Sequence, residues 1–146
     1  MTYPTTGTCQ CGQVHYELKQ PPLFTVVCHC IDCQKLSAGA FSMTMLVKRE
    51  DFELLRGELG VFDRPAASGN IARCYFCPVC SNRIYHENPD KPEVMRLKPG
   101  TLDDTSIIQP QMQVWTKRAQ PWVKLAMDLP SHETQPDIGA LINKVN

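Results

Sequence analysis

No stretch of this chain is long and apolar enough to enter a bilayer. The longest apolar run, Met43-Thr44-Met45-Leu46-Val47, falls far short of the ~20 residues that a spanning helix needs. Charge of one sign is equally scarce: 15 basic and 15 acidic side chains cancel, and no block of like charge interrupts the 146 residues. Electrostatic steering toward nucleic acid therefore has no basis in the composition, and neither a nucleic-acid nor a membrane partner is expected. The N-terminal Met-Thr-Tyr-Pro-Thr-Thr-Gly-Thr carries neither the basic segment nor the apolar core of an export signal, so a cytoplasmic location is expected. Internal repeats, linkers and low-complexity tracts are absent as well. A chain of this length has room for one core and not for two, so a single domain over 1–146 is expected.

What the chain does hold is punctuation. Twelve prolines and eight glycines cut it into short pieces, and most pieces alternate apolar and polar residues with the period of a strand. Gln13 to Leu18 sets Val14, Tyr16 and Leu18 on one face, and Phe41, Met43, Met45 and Val47 repeat the pattern. Further strands are expected at Phe24–Cys28, Phe52–Leu55, Gly60–Phe62, Ile71–Phe76, Arg83–His86, Val94–Leu97 and Gln111–Thr116. Helical signals are two: a short turn from Cys30 through Leu36, and Pro136–Val145, where Ile138, Leu141, Ile142 and Val145 share a side. Pro136 suits a first helical turn. The expected fold is mainly β with a short C-terminal helix.

Eight cysteines carry the chemistry, at Cys9 and Cys11, at Cys28, Cys30 and Cys33, and at Cys74, Cys77 and Cys80. Spacings of two and three residues aim thiolates at one cation, with Zn–S distances of about 2.3 Å. Disulfides are the competing reading of an even count in a short chain. They fit a chain without an export signal poorly, and neighbours this close form strained bridges. An iron or iron–sulfur centre is a third possibility. Under the metal reading, Cys77-Pro-Val-Cys80 is a knuckle supplying two thiolates, and Cys9 and Cys11 are its natural partners in a closed structural zinc site. Cys28, Cys30 and Cys33 then form a second site. Three ligands leave a fourth position open, as in catalytic zinc, and a soft thiol is the ligand such a site favours.

The run Gly7-Thr-Cys9-Gln-Cys11-Gly12-Gln-Val14-His-Tyr16, then Cys28-His-Cys30-Ile-Asp-Cys33-Gln34-Lys35, then Phe76-Cys77-Pro-Val-Cys80 resembles the glutathione-dependent formaldehyde-activating enzyme family, which also includes centromere-protein-V-type domains. Gly100-Thr-Leu-Asp103-Asp104 and Trp115 through Val123 match the family's C-terminal half. The resemblance covers roughly residues 5–125, leaving 126–146 as a C-terminal extension. It implies a β-tent of stacked antiparallel sheets, a structural zinc on Cys9, Cys11, Cys77 and Cys80, and a second zinc on Cys28, Cys30 and Cys33. It also implies the family's namesake activity, a carbon–sulfur lyase reaction that joins glutathione to formaldehyde. The chain departs from the family pattern at Ser81, where members usually carry glycine, and at Cys74, where they usually carry arginine. A serine there implies either tolerated left-handed strain or a different turn. Cys74 reads as a buried core residue or as a fourth thiolate closing the second site. Strand alternation keeps it off the face of Cys77.

Around the second site, His29 points away from its ligand neighbours in an extended segment and suits packing or hydrogen bonding. Gln34 and Lys35 are the expected contacts for a substrate carboxylate or peptide group, with a solvated Lys35 as the alternative. Arg64, Arg73, Lys117 and Arg118 are further candidates for an acidic thiol. Trp115 and Trp122 are expected to pack, and Asp103 and Asp104 to cap a turn. Two functional classes follow. One is a zinc enzyme, monomer or homodimer, joining a small-molecule thiol to a small aldehyde. The other is a non-catalytic, zinc-stabilised binding module.

Overall fold

Alternating segments between prolines and glycines become strands because a pleated chain buries every second side chain. The computed structural model describes residues 3–125 and 128–145. Its strands are β1 (Thr5–Thr8), β2 (His15–Leu18), β3 (Phe24–Cys28), β4 (Ser42–Lys48), β5 (Phe52–Arg56), β6 (Gly60–Pro65), β7 (Ile71–Phe76), β8 (Arg83–Glu87), β9 (Val94–Leu97) and β10 (Met112–Val114). Its α-helices are α1 (Ile31–Ser37) and α2 (Ile138–Val145). The fold is mainly β, with two sheets and a short C-terminal helix. The chain divides into two compact units, residues 1–22 with 45–108 and residues 23–44 with 109–146; β4 contributes to both.

In the first unit β1, β2 and β5 form an antiparallel sheet, and β4, β9, β8, β7 and β6 follow one another in a second antiparallel set. Tyr16, Leu18, Met45, Val47, Tyr85, Met95 and Leu97 make the core, and each fully buried side chain of this size contributes roughly 1.5–3 kcal/mol. Phe52 links the aromatic members, stacking on Tyr16 at 5.1 Å and tilting against Tyr85 at 5.3 Å. β4 departs from simple alternation. Met45 and Val47 face the core as expected, but Ser42, Thr44 and Leu46 are buried too, as suits a central strand covered on both faces.

β1 lies outside the expected strands. Its inward positions are Thr5 and Gly7, which show no apolar alternation, and Gly7 is required because the Tyr16 ring occupies the space a Cβ would take. A glycine accepting a ring this way builds a strand that hydropathy does not reveal.

In the second unit β10 runs parallel to β3, pairing Met112 with Val26 and Val114 with Cys28. Trp115, at φ 58°, turns the chain out of β10 one residue after Val114, so this strand is shorter than Gln111–Thr116. The outer edge of β10 is covered by residues 130–134. Gln113 N donates to Pro130 O at 3.0 Å, His132 N to Gln113 O at 3.0 Å, and Thr116 N to His132 O at 3.1 Å. Covering an edge strand removes a template for unwanted pairing. The C-terminal extension is thus part of the β structure; its residues 126, 127 and 146 lie outside the described ones. α2 begins two residues after Pro136, with Asp137 Oδ1 accepting from Ala140 N at 3.1 Å. Ile138, Leu141 and Ile142 are half-buried, and the side chain of Val145 lies outside the described part.

Candidate metal centres

The first centre is assembled in the first unit by two turns. Leaving β1, the chain bends at Cys9–Gly12, where Gly12 takes φ +82° and its N–H meets Cys9 O at 3.0 Å. Between β7 and β8 the knuckle is closed by Ser81 N to Cys77 O and by Cys77 N to Asn82 O, both 2.8 Å. Ser81 adopts φ 68°, so of its two expected outcomes the tolerated left-handed backbone is found. Asn82 Oδ1 accepts from Gln10 N at 2.6 Å and ties one turn to the other.

These turns bring Cys9, Cys11, Cys77 and Cys80 together with all four Sγ atoms within 4.8 Å of one another. Cys9 Sγ lies 3.6 Å from Cys11 Sγ, which lies 3.7 Å from Cys77 Sγ. A tetrahedron with Zn–S bonds of about 2.3 Å has edges of ~3.8 Å, so the donor set fits one tetrahedral ion. All eight cysteines are free thiols, which removes the disulfide reading.

Donors aimed at sulfur reinforce this arrangement. Val14 N donates to Cys9 Sγ at 3.2 Å, Gln13 Nε2 to Cys77 Sγ at 3.2 Å, and Cys80 N to Cys77 Sγ at 3.5 Å. Desolvation opposes ionisation of Cys77, but the N–H groups of Cys80 and Val79 and the Gln13 amide outweigh it and bring the thiol down to about 6. Cys80 is lowered too, first by the Asn82 backbone. At Cys11 the Gln13 N–H favours the thiolate, yet desolvation and the crowding of Cys9, Cys77 and Cys80 push it up to about 12. Negative charge is therefore favoured at the knuckle, and a bound cation would displace the proton held at Cys11. Gln13 and Asn82 escaped the sequence reading; a side-chain amide two residues after a ligand, or two after the knuckle, is the signal that marks them.

The second centre belongs to the second unit. β3 ends at Cys28. Cys30 caps α1 with extended backbone, φ −63° and ψ 159°, its Sγ accepting from Cys33 N at 3.3 Å. A thiol serving as helix N-cap puts Cys30 and the first-turn Cys33 on one side, facing Cys28. The three Sγ atoms lie within 4.8 Å of one another and could hold a metal ion. Among the described residues no histidine, carboxylate or further cysteine joins either group. Cys74 is buried outside both, its Sγ 3.8 Å from Ala72 O, as the core reading expects. Contact with Cys30 and Cys33, then burial, raises Cys28 well above the ordinary thiol range. Cys30 is raised as well: Cys28 favours its thiolate, but Cys33 and burial prevail. Both effects hold the protons on Cys28 and Cys30.

His29 is fully buried between two of these cysteines. Its N–H meets Val114 O at 3.1 Å, its Nε2 lies 2.9 Å from Gln113 Oε1, and Phe41 packs edge-on at 5.9 Å. Gln34 spends its amide internally: Nε2 donates to His29 O at 2.7 Å and Arg118 O at 2.9 Å, while Oε1 accepts from Gln120 Nε2 at 3.0 Å. Lys35 is exposed.

The other candidates are placed as follows. Arg73 forks onto Asp63 at 2.8 and 2.9 Å, and Lys117 lies over the Trp115 ring at 5.5 Å. Asp104 caps a turn through Ser106 N at 3.0 Å, and Asp103 accepts from Thr6 Oγ1 at 2.6 Å. Trp115 Nε1 donates to Gln135 Oε1 at 3.2 Å, but Trp122, expected to pack, is 72% exposed. Among the described residues no helix is long and apolar enough to cross a membrane.

Among solved structures, the chain is similar to a crystal structure of a Rhodobacter sphaeroides protein. The two are 22% identical with a TM-score of 0.54, over 72% of this chain and 91% of that one. At this identity the likeness speaks for the fold alone. No curated protein matches the chain. The model of one family, glutathione-dependent formaldehyde-activating enzyme, matches residues 4–118, a span that takes in both cysteine groups, and the chain belongs to that family.

Proposed function

We propose that this protein is a zinc enzyme of the carbon–sulfur lyase type that adds a small thiol to a small aldehyde, with glutathione and formaldehyde as the first pair to test. The observation that carries the reading is the group of three thiols, Cys28, Cys30 and Cys33, which no fourth ligand joins among the described residues. Four-thiolate sites are closed and structural, whereas three protein ligands leave a position for substrate. Cys9, Cys11, Cys77 and Cys80 hold the structural ion; Cys28, Cys30 and Cys33 hold the other. A zinc ion in the three-cysteine site supplies a Lewis acid that lowers the pKa of a thiol from about 8.5 toward neutrality.

In the net reaction a sulfur–carbon bond forms, the carbonyl π bond breaks, and the thiol proton ends on the new hydroxyl oxygen. The chain's residues orient and hold. Cys30 and Cys33 are set by α1, and β3 fixes Cys28. Gln34 clamps the His29 carbonyl, so the segment between the ligands cannot shift without losing this part-buried hydrogen bond. Lys35, exposed beside the site, is the proposed contact for a carboxylate of an acidic thiol. Reduced thiolates require a reducing compartment such as the cytoplasm. The two units act as one domain: β4 contributes to both, and the family match takes in residues of each.

The test compares formation of the glutathione–formaldehyde adduct by wild type and Cys30→Ser against the uncatalysed rate. Acceleration by wild type alone supports the reading. Equal rates in all three samples reject this substrate pair and favour a zinc-stabilised binding module.

A further inference from the structure

In the second unit the pairing of β10 with β3 continues one residue beyond β3, where His29 N donates to Val114 O. His29 therefore stands between Cys28 and Cys30 with its ring buried. Three groups fix this residue: Val114 at its N–H, Gln34 at its carbonyl and Gln113 at its ring. The ring has little else to hold it. Phe41 packs against it at 5.9 Å, and Nδ1 is buried with no hydrogen-bond partner among the described residues. Its polar anchor is the contact of 2.9 Å between Nε2 and Gln113 Oε1.

The direction of that anchor is set from the C-terminal extension. Leu129 O is a carbonyl and can only accept, so Ser131 Oγ, 2.9 Å away, donates its one proton there. Ser131 Oγ must then accept at its 3.0 Å contact with Gln113 Nε2, which turns the amide NH2 toward Ser131 and the amide oxygen toward His29. An amide oxygen has no proton to give, so His29 carries one on Nε2. The backbone of Gln113 is tied to the same segment, its N–H to Pro130 O and its carbonyl to His132 N, both at 3.0 Å. Residues 129–132 thus reach the segment between two cysteines through one side chain.

We propose that Gln113 is a positioning residue of the three-cysteine centre: oriented by Ser131, it fixes the rotation of the His29 ring and with it the spacing of Cys28 and Cys30. The proposal rests on the reading of Cys28, Cys30 and Cys33 as ligands of one ion. Metal–sulfur bonds tolerate only ~0.2 Å of error, so a residue inserted between two ligands has to be held still. Gln113 acts through His29 and not as a ligand, and the C-terminal extension supports the centre without supplying a thiol to it.

Competition between the zinc-loaded full chain and a chromophoric chelator tests it, with Cys30→Ser marking which release step belongs to the three-cysteine centre. Gln113→Ala should weaken zinc at that step about tenfold or more and leave the four-cysteine step as in wild type. Equal loss at both centres would mark a merely structural role and overturn the proposal. Gln113→Glu should recover most of the affinity, because a carboxylate accepts from His29 Nε2–H with either oxygen and needs no Ser131 to orient it; no recovery overturns the proposal. Nitrogen resonances of the wild-type His29 ring should show the proton on Nε2, and a proton on Nδ1 alone overturns it too. If Gln113→Ala does not fold, Ser131→Ala, at an exposed position, should give the same selective loss in smaller degree, and unchanged affinity there counts against Gln113. Selective loss in Gln113→Ala without any acceleration of adduct formation by wild type would reject the thiol–aldehyde reading and keep the role of Gln113. Adduct formation with zinc release unchanged in Gln113→Ala would reject the role of Gln113 alone, and a wild type that holds no ion at Cys28, Cys30 and Cys33 refutes both.

Discussion

Gln13 and Cys77, 64 residues apart, meet through an N–H···S hydrogen bond of 3.2 Å, and the same Gln13 side chain donates to the Glu58 carbonyl at 3.0 Å. The amide thereby anchors a proposed metal ligand to the loop that follows β5, as outer partners of metal ligands commonly do. Gln13→Ala should weaken metal binding at the four-cysteine centre by about 10-fold to 100-fold and cost ~1–2 kcal/mol of stability. Competition with a chromophoric chelator and urea unfolding measure the two. Cys77→Ser should do far more, removing ~3 kcal/mol or more, because binding at a structural site is part of the folding free energy. An unchanged melting temperature in Cys77→Ser would refute the structural role.

Gln34 and Lys35 are expected to separate by experiment. Gln34→Ala removes the donor to the part-buried His29 carbonyl and to the exposed Arg118 carbonyl and should cost ~0.5–1.5 kcal/mol. Lys35→Ala, at an exposed position, should leave stability within about 0.5 kcal/mol while raising KM for an acidic thiol. A Gln34→Ala protein with wild-type unfolding and a raised KM would return Gln34 to the substrate-contacting role.

Ser81 sits at φ 68° with its N–H bonded to Cys77 O. A left-handed backbone costs a non-glycine residue roughly 1–2 kcal/mol, of which glycine's greater unfolded-state entropy gives back ~0.5–1 kcal/mol. Ser81→Gly should therefore stabilise by about 0.5 kcal/mol, read as a small rise in thermal midpoint with unchanged metal content.

Acid should weaken the fold through His86. In an unfolded chain histidine protonates near pH 6.5, whereas folded His86, faced by Arg64, Arg83, Arg96, Lys98 and Cys74, stays neutral to well below that. As pH falls through about 6.5 the unfolded state takes up a proton that the folded state refuses. Stability then falls by up to ~1.4 kcal/mol per pH unit until the folded pKa is reached. His86→Gln should flatten this slope between pH 6.5 and 5.5 in urea unfolding; an identical slope in both proteins would assign the effect to other groups.

Much of this molecule is legible from local pattern. β3, β7 and β9 coincide with the segments expected for them, because strand-forming composition and turn residues are properties of neighbours in sequence. The grouping of Cys9 and Cys11 with Cys77 and Cys80 is readable for a related reason: thiolate valence and short spacing demand a second pair, wherever the chain brings it. β1 is not legible, since Gly7 earns its place only when Tyr16 lies over it.

Tertiary structure decided the rest. Gln34, adjacent to a ligand in sequence, is turned inward to His29 and Arg118, and Gln13 is turned toward Cys77. The gathering of Arg83 and Arg96 around His86 depends on the register of antiparallel strands, including the shift between Tyr75 and Phe76. Register is set by which side chains fill the core, and moving a strand by one residue exchanges its faces. Cysteine spacing could therefore announce the metal centres from the sequence alone, whereas charges carried on separate strands meet only once packing has chosen the face each one shares.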